Sequence, residues 1–158
     1  MTAHDELIST FYAAFQRRDH QAMAVCYAPD PSFSDPVFTN LRGAQVAAMW
    51  RMLCERGKDL NIEASNIVTS DTAGSAHWEA HYTFSATGRH VHNVIDASFT
   101  FESGRIARHT DRFDLYRWAR QALGLKGVLL GWSPPVQNAI RAQAARGLDA
   151  FMRKNGLA

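Results

Sequence analysis

Apolar residues recur at helical spacing in the first part of the chain. A helix over residues 5–17 is predicted because its apolar positions fall on one face. These positions are Leu7, Ile8, Phe11, Tyr12 and Phe15. Asp19 is placed to cap a second, shorter helix, which ends before Pro29. A third helix is predicted after Gly43 and runs to about Arg56.

The period changes to the alternation of strands from about Leu60 to Tyr116. Three turn signals divide this region. They are Asp71–Gly74, Thr87-Gly88 and Ser103-Gly104. The pattern predicts a meander of four long antiparallel strands, preceded by a short extended piece at Ser32–Val37. Helices followed by a curved antiparallel sheet form an α+β arrangement.

The last part of the chain returns to a helical pattern. Residues 118–123 either prolong or follow the last strand, and Ser133 before two prolines is a helix start signal. We therefore predict a main domain over residues 1–117 and a C-terminal helical extension over 118–158, packed on that domain. Gly127–Trp132 and the basic helix after it could cover a pocket mouth, pack in a dimer or lie on a membrane surface. Packing is favoured, because apolar residues on a terminal helix usually contact their own sheet.

Composition narrows the functional classes. The 158 residues are 46% hydrophobic and 20% charged, which suits one globular domain with one core. The net charge of +2 is too small to indicate nucleic-acid binding. Cys26 and Cys54 lack C-x-x-C spacing, which favours buried thiols in a reducing compartment. The apolar run Val128–Leu130 is too short to span a bilayer, so a soluble, cytoplasmic protein without a membrane partner is expected.

Hairpin register predicts a row of acids. If Ser103-Gly104 is a two-residue turn, Asp96 pairs with Asp111, and if Thr87-Gly88 turns in the same way, Glu79 pairs with Asp96. Directly opposed carboxylates are destabilising on a solvated sheet, and in a pocket they force one carboxyl to keep its proton. Such a row indicates either a functional site or a different register.

The alternative is a β-bulge, which would change the parity and send one acid to the outer face. The face opposite the acids also resembles a core. Its residues are Trp78, Ala80, Tyr82 and Phe84 on one strand and Ile95, Ala97, Phe99 and Phe101 on the next. The alternation therefore leaves both assignments open.

Histidines offer two further candidates. His77, His81, His90 and His92 invite a metal interpretation, but strand alternation separates them, so surface or interface roles are favoured and no metal is predicted. His109 shares a strand face with Asp111. It could relay a proton, orient that acid, or serve as a hydrogen-bonded pocket wall.

Several short motifs stand in a recognisable order. They are Tyr27-Ala28, Ser34-Asp35-Pro36, Gly43, Val94-Ile95-Asp96 and Gly104-Arg105-Ile106. Over residues 7 to about 116 the chain resembles the ketosteroid isomerase-like and SnoaL-like branch of the nuclear transport factor 2-like superfamily. This resemblance implies a cone-shaped fold with N-terminal helices on a curved antiparallel sheet, and a homodimer formed through the outer sheet face.

The same resemblance implies roles for individual residues. Asp35 matches the general base of the isomerases, and Asp96 matches the protonated acid that stabilises the dienolate oxygen. Tyr27 matches a tyrosine of the supporting network. Phe11 replaces the tyrosine that shares the oxyanion hole, which removes one donor and argues against steroid isomerisation.

A second motif points to related enzymes. The segment from His109 to Asp114 resembles the last strand of limonene-epoxide hydrolases, where Asp111 matches the base that activates water. The arginine of those hydrolases is Val94 here, and Arg51 is a speculative replacement.

The resemblance and the pattern together predict a pocket enzyme without a cofactor. It would move protons in the isomerisation or cyclisation of a small apolar carbonyl compound, with Asp35 or Asp111 as base and Asp96 as oxyanion donor. The expected substrate-binding residues are Phe11, Tyr27, Phe33, Trp50, Tyr82, Val94 and Phe113. The alternatives are a non-catalytic domain that binds a small molecule or a partner, and a limonene-epoxide-hydrolase-like enzyme.

Overall fold

A computed structural model describes residues 1–157 and contains six helices and six strands in that range. The helices are α1 (Ala3–Gln16), α2 (His20–Val25), α3 (Ala44–Arg56), α4 (Leu115–Leu123), α5 (Leu125–Leu130) and α6 (Pro134–Lys154). The strands are β1 (Tyr27–Ser34), β2 (Leu41–Arg42), β3 (Asn61–Thr69), β4 (Ala73–Phe84), β5 (Arg89–Glu102) and β6 (Arg105–Arg112). The α+β class predicted from the sequence is confirmed.

The strands form one sheet in the order β2-β1-β6-β5-β4-β3. All neighbours are antiparallel except β1 and β6, which run parallel. The predicted meander corresponds to β3–β6. The sequence pattern missed β2 and placed the first extended piece at 32–37, whereas β1 begins at Tyr27 and ends at Ser34. Prolines are unfavourable within a regular strand. The prolines of β1, Pro29 and Pro31, lie between Tyr27 and Ser32, where its pairing with β6 is irregular.

The first helix is fixed at its start by a reciprocal cap. The Thr2 side chain accepts a hydrogen bond from the Asp5 amide, and the Asp5 side chain accepts one from the Thr2 amide. From there α1 buries a face that includes Phe11, Tyr12 and Phe15. This face packs with α3 on the inner side of the sheet, where the largest enclosed side chains form an aromatic core.

The C-terminal helices complete the domain in two places. Leu148, Phe151 and Met152 of α6 join the main core. Helix α4 forms a second core, in which Trp118 and Leu115 pack with Val91 of β5. Tyr82 and Phe113 contact both cores, so the second core adjoins the main one.

The predicted register of the acids is wrong, for two local reasons. Phe101 pairs with Ile106 as expected, but Thr100 pairs with Arg108, so Ala107 is an extra residue and the parity changes. The second hairpin closes between Phe84 and Arg89, which leaves residues 85–88 in the loop rather than two residues.

The shifted register separates the three acids of the predicted row. Asp111 pairs with Ala97, Asp96 with Arg112 and His77, and Glu79 with Val94. Asp111 therefore points into the core, whereas Asp96 and Glu79 point outward.

No helix in residues 1–157 combines the length and the apolar character that crossing a bilayer requires.

Candidate active site

Asp111 and His109 form a buried pair on the inner face of β6. Asp111 is 3% exposed and His109 is 0% exposed. His109 Nε2 lies 2.9 Å from Asp111 Oδ1, and Trp78 Nε1 donates to the same oxygen at 3.3 Å. A buried carboxylate needs such donors, because burial without them is strongly unfavourable. The pair is held rigidly by its partners on β4 and β6.

A second set of bonds fixes the tautomer of His109. Trp50 Nε1 donates to Tyr27 Oη at 2.9 Å, and Tyr27 Oη lies 2.7 Å from His109 Nδ1. An ionised Asp111 can only accept, so Nε2 of His109 carries a proton and donates it to Asp111, and in a neutral His109 the other nitrogen, Nδ1, accepts from the Tyr27 hydroxyl. The chain Trp50–Tyr27–His109–Asp111 thus runs in one direction and orients the carboxylate.

Asp111 has one oxygen free to act. Its Oδ2 makes no hydrogen bond within residues 1–157, whereas Oδ1 accepts from both His109 and Trp78. The free oxygen of Asp111 is therefore the one that can meet a substrate.

Tyr12 supplies an unpaired donor beside this carboxylate. Its ring packs against Trp78 at 6.1 Å and against Phe11 at 5.1 Å between centroids. Burial, and secondly the nearby charge of Asp111, raise the pKa of Tyr12 well above its usual value, so the phenol keeps its proton. A buried hydroxyl without a partner costs free energy, and such a group in a native structure calls for an explanation such as a missing ligand.

Asp35 lies after the end of β1 and is half-buried. Its Oδ1 accepts hydrogen bonds from the Phe38 amide at 2.6 Å and the Val37 amide at 2.7 Å. Burial raises its pKa to about 7, opposed by these hydrogen bonds and assisted by the charge of Asp111. Near neutral pH this carboxyl is therefore partly protonated and can act as an acid or a base.

Tyr82 lies close to Asp35, beneath helix α4. Trp118 Nε1 donates to Tyr82 Oη at 2.7 Å. Burial raises the pKa of Tyr82 to about 12, which the Trp118 bond opposes and the charge of Asp35 assists. The hydroxyl oxygen is engaged, but its proton remains available as a donor.

The apolar residues expected to bind substrate separate into two groups. Phe11, Phe33 and Trp50 are buried around His109, with ring centroids 5.0–6.0 Å from the imidazole. Phe113 lies at the contact between the two cores. Val94 does not lie on this face, because the shifted register turns it outward opposite Glu79.

The expectation that Asp96 lines the pocket is corrected. Its side chain is 79% exposed, and Oδ1 contacts His77 Nδ1 at 3.0 Å on the outer face. This hydrogen bond, followed by that from Glu79, raises the pKa of His77. An exposed carboxyl of this kind cannot be kept neutral by an apolar environment.

The four strand histidines share the outer face. His81 stacks on His92 at 4.1 Å and on His90 at 5.7 Å, and His92 Nε2 lies 2.7 Å from Glu79 Oε1. Within residues 1–157 no three His, Cys, Asp or Glu side chains are grouped so as to bind a metal ion. The surface position matches the favoured interpretation of these histidines, and a homodimer through this face stays a prediction.

Sequence reasoning missed Tyr12, Trp78 and Trp118 as polar partners of the site. Trp78 had been assigned to the face opposite the acids, and it bonds Asp111 because the bulge brings that acid onto the Trp78 face. The signal for Tyr12 was the position next to Phe11. Adjacent helix residues point about 100° apart, so helix geometry does not predict that Tyr12 replaces the tyrosine missing at Phe11, yet both side chains lie in the core.

The chain belongs to the SnoaL-like domain family, whose sequence profile matches residues 8–109, more than half of the chain. No curated protein matches it. The family profile match confirms the resemblance found in the sequence.

Solved structures share the fold. A candidate polyketide cyclase from Pseudomonas putida is 26% identical with a TM-score of 0.65, over 77% of this chain and 98% of that one. A Catenulispora acidiphila protein with a ketosteroid isomerase-like fold is 13% identical with a TM-score of 0.67, over 82% and 98%. An epoxide hydrolase of the limonene-epoxide-hydrolase-like type from Mycobacterium tuberculosis is 20% identical with a TM-score of 0.60, over 85% and 95%.

The raised pKa of Asp35 predicts a pH-dependent stability. The folded state holds this proton more tightly than the unfolded chain, whose carboxyl has a pKa near 3.8. Asp35 therefore lowers stability progressively as pH rises from about 4 to about 7. Asp35→Asn keeps an acceptor oxygen for the two amides but cannot ionise, so the variant should gain stability relative to the wild type over this interval.

Urea unfolding at pH 5 and at pH 8 measures this difference. The exposed turn residue Asp71, changed to Asn, is the matched control and should show the same pH dependence as the wild type. An Asp35→Asn curve parallel to the wild type would contradict the assignment.

Proposed function

We propose that this protein is an acid/base enzyme that moves protons in a small, largely apolar carbonyl compound, leading to isomerisation or aldol-type cyclisation. The observation that carries the proposal is the buried Asp111 carboxylate with one free oxygen, beside the unpaired phenol of Tyr12. Two groups of this kind are what proton abstraction next to a carbonyl requires. Membership of the SnoaL-like family supports the proposal.

Asp111 is the proposed general base. Its Oδ2 would take a proton from the carbon next to the substrate carbonyl, and the electron pair of that C–H bond would form an enolate. His109 and Trp78 would hold Oδ1, so the carboxylate keeps its orientation while the proton is transferred. In an isomerisation the same oxygen would return the proton to another carbon.

Tyr12 is the proposed donor to the enolate oxygen. It takes the place of Asp96, which lies on the outer face, and it offers the phenol that Phe11 lacks.

Asp35 would supply the second proton. If the enolate carbon attacks another carbonyl group, the new alkoxide would take its proton from Asp35, whose pKa near 7 permits both forms. Two carboxyls with environments this different suit separate acid and base roles.

The aromatic surroundings suggest the substrate class. Phe11, Phe33 and Trp50 surround the His109–Asp111 pair, and no arginine is bonded to the pair. A planar, neutral carbonyl compound is favoured over a charged one, because a charge placed among these rings would lose its hydration without gaining a partner. Between isomerisation and cyclisation, the name of the Pseudomonas relative, a candidate polyketide cyclase, supports cyclisation.

An epoxide hydrolase is less well supported. Arg51 is the speculative replacement for the hydrolase arginine. Its side chain bonds Glu55 of the same helix, α3, at 2.7 Å and Asn155, the residue after α6, at 3.3 Å. It does not contact Asp111 or Asp35.

The donor role of Tyr12 can be tested by Tyr12→Phe. Loss of the hydroxyl should lower kcat by about a hundredfold, as expected for one lost oxyanion donor. It should leave the free energy of unfolding unchanged or raise it, because an unpaired buried hydroxyl is removed. The probes are conversion of β,γ-cyclohexenone to its conjugated isomer, and deuterium exchange next to the carbonyl of cyclohexanone followed by NMR.

Tyr116→Phe is the matched control, since that hydroxyl donates to the Val128 carbonyl at an exposed position. Its rates should equal those of the wild type. A Tyr12→Phe enzyme with wild-type turnover would exclude Tyr12 as the donor. Tight binding of these ketones by the wild type without exchange or isomerisation would favour the second candidate, a non-catalytic binding domain.

A further inference from the structure

Helix α5 and the turn after it carry an exposed apolar patch, which we call the α5 patch. Its members are Leu125, Val128, Leu129, Leu130 and Trp132, each between 46% and 73% exposed. The other large apolar residues exposed in residues 1–157 are scattered singly at Met1, Val25 and Val68. A contiguous exposed patch marks an interaction site, whereas scattered residues need no explanation.

The α5 patch is held rigidly in this exposed position. Gly127 packs against the backbone of Ala119 in α4, and the Tyr116 hydroxyl donates to the Val128 carbonyl at 2.8 Å. Trp132 Nε1 donates to the Leu129 carbonyl at 2.9 Å, which fixes the indole beside the leucines. The backbone of α5 is therefore fixed on α4, and this arrangement leaves the apolar side chains of the patch facing solvent.

The charge around the patch has one sign. From Leu115 to Leu148 the sequence contains no Asp or Glu. The cations in this interval are Arg117, Arg120, Lys126, Arg141 and Arg146. None of the ion pairs formed by residues 1–157 involves these five side chains, although Arg141 donates to the Pro36 carbonyl and Arg120 lies over the Tyr116 ring. The nearest cation to the patch in sequence, Lys126, is itself part of α5 and is exposed.

We propose that the α5 patch docks on the surface of an anionic lipid bilayer. Leucines and a tryptophan beside an exposed lysine, in a stretch of sequence without acidic residues, are the features that allow a short helix to lie in the interface. The cations are attracted to anionic headgroups, and the indole prefers the headgroup level. Such contact needs no spanning segment, but it departs from the sequence expectation of no membrane partner and takes the membrane-surface alternative over the packing that the sequence pattern favoured.

A second copy of the chain is a poorer occupant for this patch. Two copies related by a two-fold axis through the patch would bring the Lys126 side chains of both copies to one apolar contact, and like charges oppose such an interface. An anionic surface neutralises them instead. The bilayer is therefore the partner that satisfies both the apolar and the charged side chains.

Helix α4 contacts both the patch and residues of the proposed active site. Helix α4, which carries the patch through Gly127, also bonds Tyr82 through Trp118 above Asp35. The lipid interaction itself does not depend on any catalytic assignment, so it stands or falls separately from the proposed function.

The intrinsic fluorescence of Trp132 provides the test. The protein has four tryptophans, and Trp50, Trp78 and Trp118 are buried, so emission that acrylamide quenches belongs to Trp132. Vesicles of phosphatidylglycerol and phosphatidylcholine should shift this emission to the blue and protect it from acrylamide. Pure phosphatidylcholine vesicles should bind at least tenfold more weakly, and added salt should weaken the binding to the anionic vesicles.

Variants separate the patch from the rest of the surface. Leu129→Ser should abolish binding, and Lys126→Glu should weaken it roughly tenfold. Val68→Ser, at an exposed apolar residue of β3, is the matched control and should bind like the wild type. Absence of binding to the anionic vesicles at low salt, or equal losses in Leu129→Ser and Val68→Ser, would overturn the proposal. So would a dimer on size-exclusion chromatography that Leu129→Ser dissociates.

Discussion

Asp111→Asn should lower kcat for β,γ-cyclohexenone by about a hundredfold to ten-thousandfold, the range attributed to a positioned general base. The amide oxygen can still accept from His109 and Trp78, so the buried bonds to Oδ1 are retained. The amide nitrogen that replaces Oδ2 cannot accept a proton. The effect should therefore appear in kcat, with a smaller change in KM.

Asp96→Asn is the matched control, because the resemblance assigns Asp96 a central role and the structure places it outside the site. Its carboxyl bonds His77 on the outer face, so turnover should equal that of the wild type. The one expected change is a lower pKa of His77, since the largest cause of its raised value is lost. Turnover that falls in Asp96→Asn and survives in Asp111→Asn would reverse the assignment.

Gly127→Ala should destabilise the protein by about 1–3 kcal/mol, the range for overpacked buried sites. A Cβ at this position would overlap the carbonyl oxygen of Ala119 and lie 2.5 Å from its carbonyl carbon and 3.0 Å from Arg120 Cα. These atoms belong to the backbone of α4, so no side-chain rotation relieves the clash. Helix α5 would have to move away from α4, and thermal or urea unfolding measures the loss.

Gly147→Ala is the control for this substitution. Gly147 lies within α6, and nothing lies within 4 Å of a Cβ placed there. The exchange should stabilise the protein by about 0.5–1 kcal/mol, the ordinary gain for glycine to alanine inside a helix. Equal effects in the two variants would show that α5 is not packed on α4 through Gly127.

These two pairs of variants test different parts of the molecule. Asp111 and Asp96 lie on opposite faces of the sheet. Gly127 packs against the backbone of α4, whereas Gly147 has no neighbour where a Cβ would lie. In both pairs the residue type is the same and only the tertiary environment differs. A difference in outcome therefore reports on the fold and not on the amino acid.

Much of the architecture could be predicted from the sequence, because it depends on local chemistry. The apolar spacing of α1 and the glycine before α3 locate these helices to within a few residues. The turn at Ser103-Gly104 was placed correctly, since both residues adopt positive φ as a tight hairpin turn requires. The resemblance to the SnoaL-like family depends on short motifs and their order along the chain, and the family profile match over residues 8–109 confirms it.

The candidate site could be predicted only in part. Asp111 and His109 were selected for lying on one strand face, and this relation is fixed by alternation alone. Which face that was could not be read from the pattern, because the acids and the aromatic residues alternate along the same strands. Tyr12 was set aside because helix geometry gives directions but does not say how wide the buried face is.

The sequence by itself determined the first three helices, the four strands of the meander, the turn at Ser103-Gly104 and the grouping of residues into two faces within each strand. The tertiary structure decided which of those groups faces the core. One extra residue at Ala107 reverses which face of β6 meets the inward face of β5, because a shift of one residue exchanges the two faces. The loop of residues 85–88 shifts the pairing of β4 and β5 by two residues, which changes the partners and leaves the faces unchanged. Local sequence carries no strong signal for a bulge, because its conformation is stabilised by packing with neighbouring strands. For this reason Asp111 is buried beside Tyr12 and Trp78, while Asp96 lies on the outer face with His77.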